Sequence, residues 1–192
     1  MIGPVDFYYI LMSPDNIARA HLRYDAMPGS LADGWGWAGF AAEFALMDAI
    51  NAESEGLVCV EAPTLDYDLK LISPGDGGSE RLARIEVKTR VVSDGWIFPE
   101  RYDWLTIPTH DGREPVKPAA DLIVFCWYSG SETYRLWVLG YLRGVAEFRE
   151  RTVFYRENEP LPRGGWAPKG GAYCIEVKNL RPLPRGLLKE PS

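Results

Sequence analysis

Cysteine is scarce in this chain of 192 residues, which has three, at Cys59, Cys126 and Cys174. No two of them form a CxxC pair, which excludes the usual spacing of zinc-binding cysteines, and an odd number makes a poor disulfide framework. Each cysteine lies in an apolar, strand-like run. We therefore expect three buried free thiols in a reducing compartment.

Long apolar segments are missing as well. No apolar run reaches the ~18 residues of a membrane-spanning helix, and no basic start leads into an apolar stretch as in a signal peptide. We expect a soluble, cytoplasmic protein that does not bind membranes. The P-loop, HExxH and GxSxG motifs are also missing, so the enzyme classes that use them are not indicated.

Basic residues do not outnumber acidic ones, since 21 Lys and Arg face 27 Asp and Glu for a net charge of −6. This balance argues against a general polyanion-binding protein. It does not exclude a nuclease, because a bound metal ion offsets the charge of its own carboxylate ligands. The composition, 46% apolar and 25% charged, is that of a globular protein, and the length suits a single α/β domain over residues 1–192.

The residue pattern along the chain predicts a mixed β-sheet flanked by helices. A helix is indicated from residue 38 to near Gly56, with Glu43 off its apolar stripe. Strands are indicated at residues 57–61, 65–72, 82–92, 121–128, 134–142 and 172–178. Glycine and proline predict loops at residues 73–80 and 106–119.

Two of these strands carry residues that suit metal-dependent chemistry. Asp68 lies on the first, and Glu86 and Lys88 share one face of the second, since residues two apart in a strand point the same way. Mg²⁺ takes oxygen ligands, usually one or two carboxylates together with water and a substrate phosphate. Asp68, Glu86 and the Val87 carbonyl could supply the protein's ligands. Lys88 could stabilise the charge that develops on a phosphate.

A plainer interpretation makes the same residues an ordinary solvated strand face, on which these carboxylates and lysines form cross-strand ion pairs. The D…ExK pattern is short and arises often by chance. Three features favour a site. Apolar Leu69 follows Asp68, apolar residues flank Glu86, and a helix that carries Glu43 comes just upstream.

The order of these features resembles the PD-(D/E)XK nuclease superfamily. The resembling pattern is a helix with Gly39-x-x-x-Glu43, a short strand, Tyr67-Asp68-Leu69, a loop, Ile85-Glu86-Val87-Lys88-Thr89, and a buried strand that opens with Asp121. Its spacing is most similar to the branch of intron-encoded homing endonucleases and Holliday-junction resolvases. The resemblance implies a restriction-endonuclease-like core over residues 36–128. Residues 1–35 would be an N-terminal extension, and residues 129–192 a β-rich C-terminal extension.

The resemblance also implies roles for the site residues. Asp68 and Glu86 would bind the metal, Lys88 would be catalytic, and Glu43 would be the acid of the first helix that binds a metal directly or through water. Asp66 stays open as an alternative to Asp68, which is preferred because it directly precedes the apolar strand. The Pro-Asp dipeptide of the family motif is missing at Asp68, because Tyr67 precedes it and Pro63 is too far away. The chain also has no glutamine, so the glutamine motif of exonuclease-like branches is missing and an endonuclease is favoured.

A second copy of the IEVK sequence stands at Ile175-Glu176-Val177-Lys178. No strand that ends in aspartate precedes it at a suitable spacing, and the glycines at residues 164–171 indicate a loop there. We interpret this copy as a terminal strand whose sequence is coincidental.

The leading hypothesis is a Mg²⁺-dependent DNA endonuclease in which Mn²⁺ can substitute for Mg²⁺. Cleavage of both strands of a duplex by one site per chain requires two sites, so we expect a homodimer. The alternative is a catalytically inactive module of the same fold that binds nucleic acid or protein.

Overall fold

The computed structural model describes residues 8–26, 36–62, 66–75, 78–92, 104–109, 113–129, 134–162 and 164–183. Its elements in chain order are β1 (Tyr8–Leu11), α1 (Pro14–Asp25), α2 (Trp37–Glu53), β2 (Val58–Glu61), β3 (Leu69–Gly75), β4 (Gly78–Val92), β5 (Trp104–Pro108), β6 (Leu122–Ser129), β7 (Arg135–Leu142), α3 (Gly144–Arg151), β8 (Val153–Tyr155), β9 (Ala172–Glu176) and a 3-10 helix at Val177–Asn179. None of the described helices is long and apolar enough to cross a membrane.

Six strands form one mixed sheet in the order β1-β7-β6-β4-β3-β2. The central pair, β4 and β6, runs parallel, and the other neighbours run antiparallel. A parallel pair needs a long crossover connection, and here the crossover contains β5. β5 joins β9 and β8 in a second, three-stranded sheet. The expected mixed α/β architecture is confirmed.

β6 separates two apolar cores. Val124, Cys126 and Tyr128 pack on the face covered by α2. Phe125 and Trp127 pack on the opposite face, in a core that includes residues of β5, β9 and α3. Because both faces of β6 are covered, its sequence is apolar without alternation, as is typical of a strand buried on both sides.

α2 is buried around most of its circumference, and not along one stripe. Its inner side packs on β4 and β2, and α1 covers its outer side. Arg23 of α1 lies over the ring of Phe40, with 4.7 Å between its guanidinium carbon and the ring centroid. The sequence places Glu43 off the apolar stripe, but its side chain is buried because α1 covers that side.

The hairpin of β3 and β4 is longer than expected. The prediction of a loop over residues 73–80 is wrong, since β3 and β4 stay paired as far as Gly75 and Gly78. An antiparallel ladder is held by backbone hydrogen bonds, so polar residues and glycines can continue it where no core demands apolar side chains. The Asp-Gly pair at residues 76 and 77 is itself a strong sequence signal for a short hairpin turn.

Two predictions for the second sheet are also corrected. The loop predicted at residues 106–119 begins later, because β5 extends to Pro108 and pairs with β9. The strand predicted at residues 172–178 ends at Glu176, and a 3-10 turn follows. The three cysteines are confirmed as buried free thiols.

Candidate active site

The edge of β4 becomes accessible where β3 begins. β3 begins at Leu69, which pairs with Ile85 of β4. β4 continues beyond this pair to Val92, beside β6. Asp68 stands just outside the strand. Its amide donates to the Ile85 carbonyl at 2.9 Å, and its Oδ2 accepts from the Val87 amide at 2.7 Å. The Asp68 carboxylate therefore lies on the edge of β4, where a further strand residue would otherwise pair.

Glu86 projects toward the opposite face from Ile85 and Val87, and it is 0% exposed. Its Oε2 accepts from the backbone amide of Lys117 at 2.6 Å. Its Oε1 lies 2.7 Å from the Lys88 ammonium. That contact is an ion pair without hydrogen-bond geometry. Oε1 is therefore a buried oxygen that accepts no hydrogen bond.

Lys117 connects the two carboxylates. Its backbone amide bonds to Glu86, and its ammonium forms a charged hydrogen bond with Asp68 Oδ1. No sequence signal singles this residue out, because it lies in the irregular segment before β6, where a lysine is usually only a solvated charge. Its contacts arise from the three-dimensional path of the crossover.

Glu43 reaches the same region from the face that α2 covers. Burial, and after it the charge of Asp68, raise the pKa of its carboxyl group to about 8, against the opposing effect of Arg23 and Lys117. The Arg23 guanidinium lies 3.6 Å from Glu43 and 2.8 Å from Glu61. Glu43 Oε2 is buried without a hydrogen bond. Glu43 is therefore mostly protonated at neutral pH in this arrangement.

The predicted residues thus form one electrostatic network centred on Asp68. Within the described ranges, however, no three His, Cys, Asp or Glu side chains stand close enough together to hold a metal ion as they are. Asp68 and Glu86 are instead turned toward lysines, Lys117 and Lys88 respectively. A metal ion would require these side chains to reorient.

The chemistry of the group nevertheless fits a hard divalent cation. Asp68, Glu86 and Glu43 offer carboxylate oxygens, the ligands that Mg²⁺ and Mn²⁺ favour. Two of these oxygens, Glu43 Oε2 and Glu86 Oε1, are buried without hydrogen bonds, and their ion pairs with Arg23 and Lys88 leave each of them able to accept a metal ion. The Val87 carbonyl points to the same edge as its amide, because both groups of a strand residue face one way.

The two alternatives within the sequence lie in different surroundings. Asp66 is exposed in the turn before β3, whereas the Asp68 side chain is only 11% exposed. In the second IEVK, Glu176 ends β9 opposite Trp104, and it pairs with Lys178. The Lys178 side chain is 54% exposed, against 26% for Lys88. The ion pair of the second IEVK is therefore partly exposed, at the point where β9 passes into the 3-10 helix.

A cavity of about 440 Å³ adjoins Lys88, between β4 and β6 on one side and β5 on the other. Its walls are mainly apolar and include Leu105, Phe125 and Trp127. Its charged lining residues, Lys88 and Arg90, are both cations, and no carboxylate of the described ranges lines it. The cavity therefore favours an anionic ligand with apolar surface.

The chain matches no family model, no curated protein and no solved structure. Its function must therefore be inferred from the geometry of the Asp68 network and the cavity.

Proposed function

We propose that the chain is a metal-dependent DNA endonuclease with a restriction-endonuclease-like core. The observation that carries the proposal is the placement of Asp68, Glu86 and Lys88. Asp68 bonds to the backbone of the ExK strand, and Glu86 and Lys88 project together from that strand beside it. An isolated D…ExK pattern on an ordinary strand face would leave Glu86 in solvent, whereas Glu86 is fully buried.

The order and pairing of the elements also support the proposal. The helix with Glu43, a short strand, the strand after Asp68, the ExK strand and the strand after Asp121 correspond to α2, β2, β3, β4 and β6. β4 and β6 are adjacent and parallel at the centre of the sheet. Glu43 and Asp68 therefore come from elements that pack on or pair with β4, the strand that carries Glu86.

Each residue has a defined task in this proposal. Asp68, Glu86, Glu43 and the Val87 carbonyl would hold Mg²⁺ or Mn²⁺. When bound, the ion would polarise the phosphoryl oxygen and lower the pKa of a bound water. Lys88 would orient the attacking water or stabilise the negative charge that develops on the phosphate. The buried surroundings of Glu86 strengthen these electrostatic effects, because water screens them less.

The cations beside the site support a phosphate-bearing substrate. Lys88 and Arg90 line the cavity next to the carboxylates, so one strand of DNA could place a phosphate at Lys88. The negative net charge of the whole chain then matters less than the local sign. Cleavage of both strands of a duplex would require a homodimer, and analytical ultracentrifugation at micromolar concentration measures the oligomeric state.

One observation favours a second function, a catalytically inactive binding module of the same fold. Asp68 and Glu86 already have lysine partners within the chain, so their charges are offset without a metal ion. In that case the Asp68 network would stabilise the fold, and the cavity would bind nucleic acid or protein without turnover.

A plasmid-nicking assay tests the proposal. The protein is incubated with supercoiled, single-stranded and branched DNA in the presence of Mg²⁺, Mn²⁺ or EDTA. We expect nicking with either metal ion and none with EDTA. Glu86→Ala and Lys88→Ala should each lower the rate by about 10²–10³-fold or more, with an unchanged circular dichroism spectrum.

The second IEVK provides the matched controls. Glu176→Ala and Lys178→Ala remove the same residue types from the same sequence outside the site, so they should retain nicking. Full activity of Glu86→Ala would overturn the proposal. Failure of the unmodified protein to nick any of the substrates would favour the inactive module.

A further inference from the structure

Lys117 has a fixed backbone and a movable side chain. Its neighbours Val116 and Ala120 are buried in the second core, and the Ala120 amide bonds to the Lys117 carbonyl at 3.1 Å. The segment ends at Asp121, which forms two hydrogen bonds to the Arg84 guanidinium. The Lys117 side chain is 34% exposed. Its flexible stem can therefore change direction while the amide keeps its bond to Glu86.

The Lys117 ammonium is bonded to Asp68 Oδ1, the carboxylate oxygen that a metal ion would use. Asp68 Oδ2 is occupied by the Val87 amide, and the ammonium occupies Oδ1. A divalent cation bound through Oδ1 would compete directly with this ammonium, since two cations in contact with one oxygen repel each other. Binding of the ion would thus free the Lys117 ammonium to pair with another anion.

We propose that Lys117 is the internal counter-ion of Asp68, and that its ammonium moves from Asp68 to a DNA phosphate when a divalent cation binds. This inference rests on the proposed function and adds a coupling between metal binding and DNA binding. In this scheme Lys117 acts on the metal site through Asp68, and it contacts the DNA directly once the metal ion is bound. The backbone bond to Glu86 keeps that carboxylate in place in both states.

The charges around Asp68 make the direction of the effect clear. Glu43 and Glu61 share Arg23, and Glu86 is paired with Lys88. Lys117 is the cation paired with Asp68. Loss of its charge leaves Asp68 without an ion-pair partner in the described part of the chain, so a metal ion should bind more tightly.

Titration calorimetry with Mn²⁺ on the full chain, without DNA, gives the first test. Lys117→Met keeps most of the side-chain length and the backbone bond to Glu86 but removes the charge. We expect this variant to bind Mn²⁺ at least about fivefold more tightly than the unmodified protein, the lower end of typical coupling between sites. Lys117→Arg should bind like the unmodified protein. Lys178→Met, which removes a lysine from an ion pair outside the site, should also leave the affinity unchanged.

DNA binding gives the second test, with Ca²⁺ used as a divalent cation that tests binding without relying on cleavage. With Ca²⁺, Lys117→Met should weaken DNA binding and lower the slope of log K against log salt by about 0.9, the effect of one lost phosphate contact. In EDTA the slope should not change, because Lys117 is then held by Asp68. Lys117→Gln serves as a second neutral variant if Lys117→Met does not fold.

The outcomes separate this inference from the proposed function. Equal, measurable Mn²⁺ affinity in the unmodified protein and both neutral variants would overturn the role of Lys117 and leave the nuclease proposal intact. A smaller slope of log K against log salt for Lys117→Met in EDTA as well as in Ca²⁺ would also overturn the inference. Lys117 would then contact a phosphate whether or not a metal ion is bound. Absence of Mn²⁺ binding in all variants would overturn both proposals.

Discussion

The backbone amide of Val87 donates a 2.7 Å hydrogen bond to Asp68 Oδ2, so a side chain occupies the place of a strand partner at this point of β4. β3 begins one residue later, at Leu69, and an unpaired edge amide would otherwise need water. The same carboxylate is a candidate metal ligand. Asp68 therefore has a structural task and, in the proposed function, a catalytic one, and substitutions should affect both.

Asp68→Ala should lower the free energy of unfolding by about 1–3 kcal/mol, because the Val87 amide loses its acceptor. It should also abolish metal-dependent nicking. Asp66→Ala should change stability by no more than about 0.5 kcal/mol and should keep nicking, since Asp66 is exposed. Urea denaturation and the plasmid assay measure the two effects. Loss of nicking in Asp66→Ala together with full activity in Asp68→Ala would reverse the assignment.

Glu43 should make stability depend on pH. Its pKa in the folded protein is about 8, against an ordinary value of 4.5, because burial disfavours the charged form. A raised folded-state pKa contributes stability that is complete below pH 4.5 and is lost as the pH rises to about 8. Glu43→Gln cannot ionise, so its free energy of unfolding should lack this dependence on pH. Its stability relative to the unmodified protein should therefore increase by roughly 2–4 kcal/mol as the pH rises from 5 to 9.

Urea denaturation at pH 5, 7 and 9 measures this difference. Glu55→Gln is a suitable control, because it removes the same charge from an exposed position near the end of α2. The control should show the same pH dependence as the unmodified protein. A constant difference between Glu43→Gln and the unmodified protein across this range would show that Glu43 is ionised throughout.

Glu147 should support the fold without affecting the candidate site. Its carboxylate accepts from the Arg143 amide at 2.6 Å and pairs with Arg151 at 2.8 Å and Arg181 at 2.9 Å. Glu147→Ala should lower the free energy of unfolding by about 2–3 kcal/mol, with the partly exposed arginines returning to water. Mn²⁺ affinity should stay the same, because no residue of this cluster contacts Asp68 or Glu86.

Glu114→Ala is the matched control for Glu147, since it also removes a carboxylate paired with an arginine of α3. The side chain of its partner Arg149 is 68% exposed and that of Glu114 is 20% exposed, against 9% for Glu147. Because the arginine reaches solvent and Glu114 has this single ion-pair partner among the described residues, the variant should lose no more than about 1 kcal/mol. A loss as large as that of Glu147→Ala would mean that burial does not distinguish the two pairs.

The part of the site that the sequence predicts is the part set by short-range strand geometry. Glu86 and Lys88 project together because they are two residues apart in a strand, and Asp68 reaches them through one hairpin. The ladder of β3 and β4 then fixes the register. These relationships depend on neighbouring residues in sequence, so the alternation of apolar and polar residues is enough to predict them.

The features that the sequence misses depend on packing between distant segments. Lys117 bonds to Asp68 because the segment that leads into β6 passes Glu86 and Asp68, and no periodic pattern encodes that placement. Glu43 is buried because α1 covers the outer side of α2. β5 is a strand because β9 pairs with it from far along the chain. Local patterns carry no information about these contacts.

The cysteine thiols offer a test of whether the chain unfolds as one domain. Cys59 and Cys126 lie in the first core, and Cys174 lies in the second sheet. Burial raises the pKa of Cys59 to about 12, and it raises the pKa of the other two thiols as well. Because the thiolate is the reactive form, all three should react with Ellman's reagent at pH 8 at least about a hundredfold more slowly than in urea.

The urea dependence of this reaction distinguishes one cooperative unit from two. β6 contributes Cys126 to the first core and Trp127 to the second, so the cores share a strand and should open together. The three thiols should therefore become reactive at one urea concentration, matching the transition seen by circular dichroism. The reaction of Cys174, the thiol of the second sheet, is obtained by subtracting the reaction of the Cys174→Ala variant from that of the unmodified protein. Reaction of Cys174 at clearly lower urea than Cys59 would mean that the smaller sheet unfolds on its own.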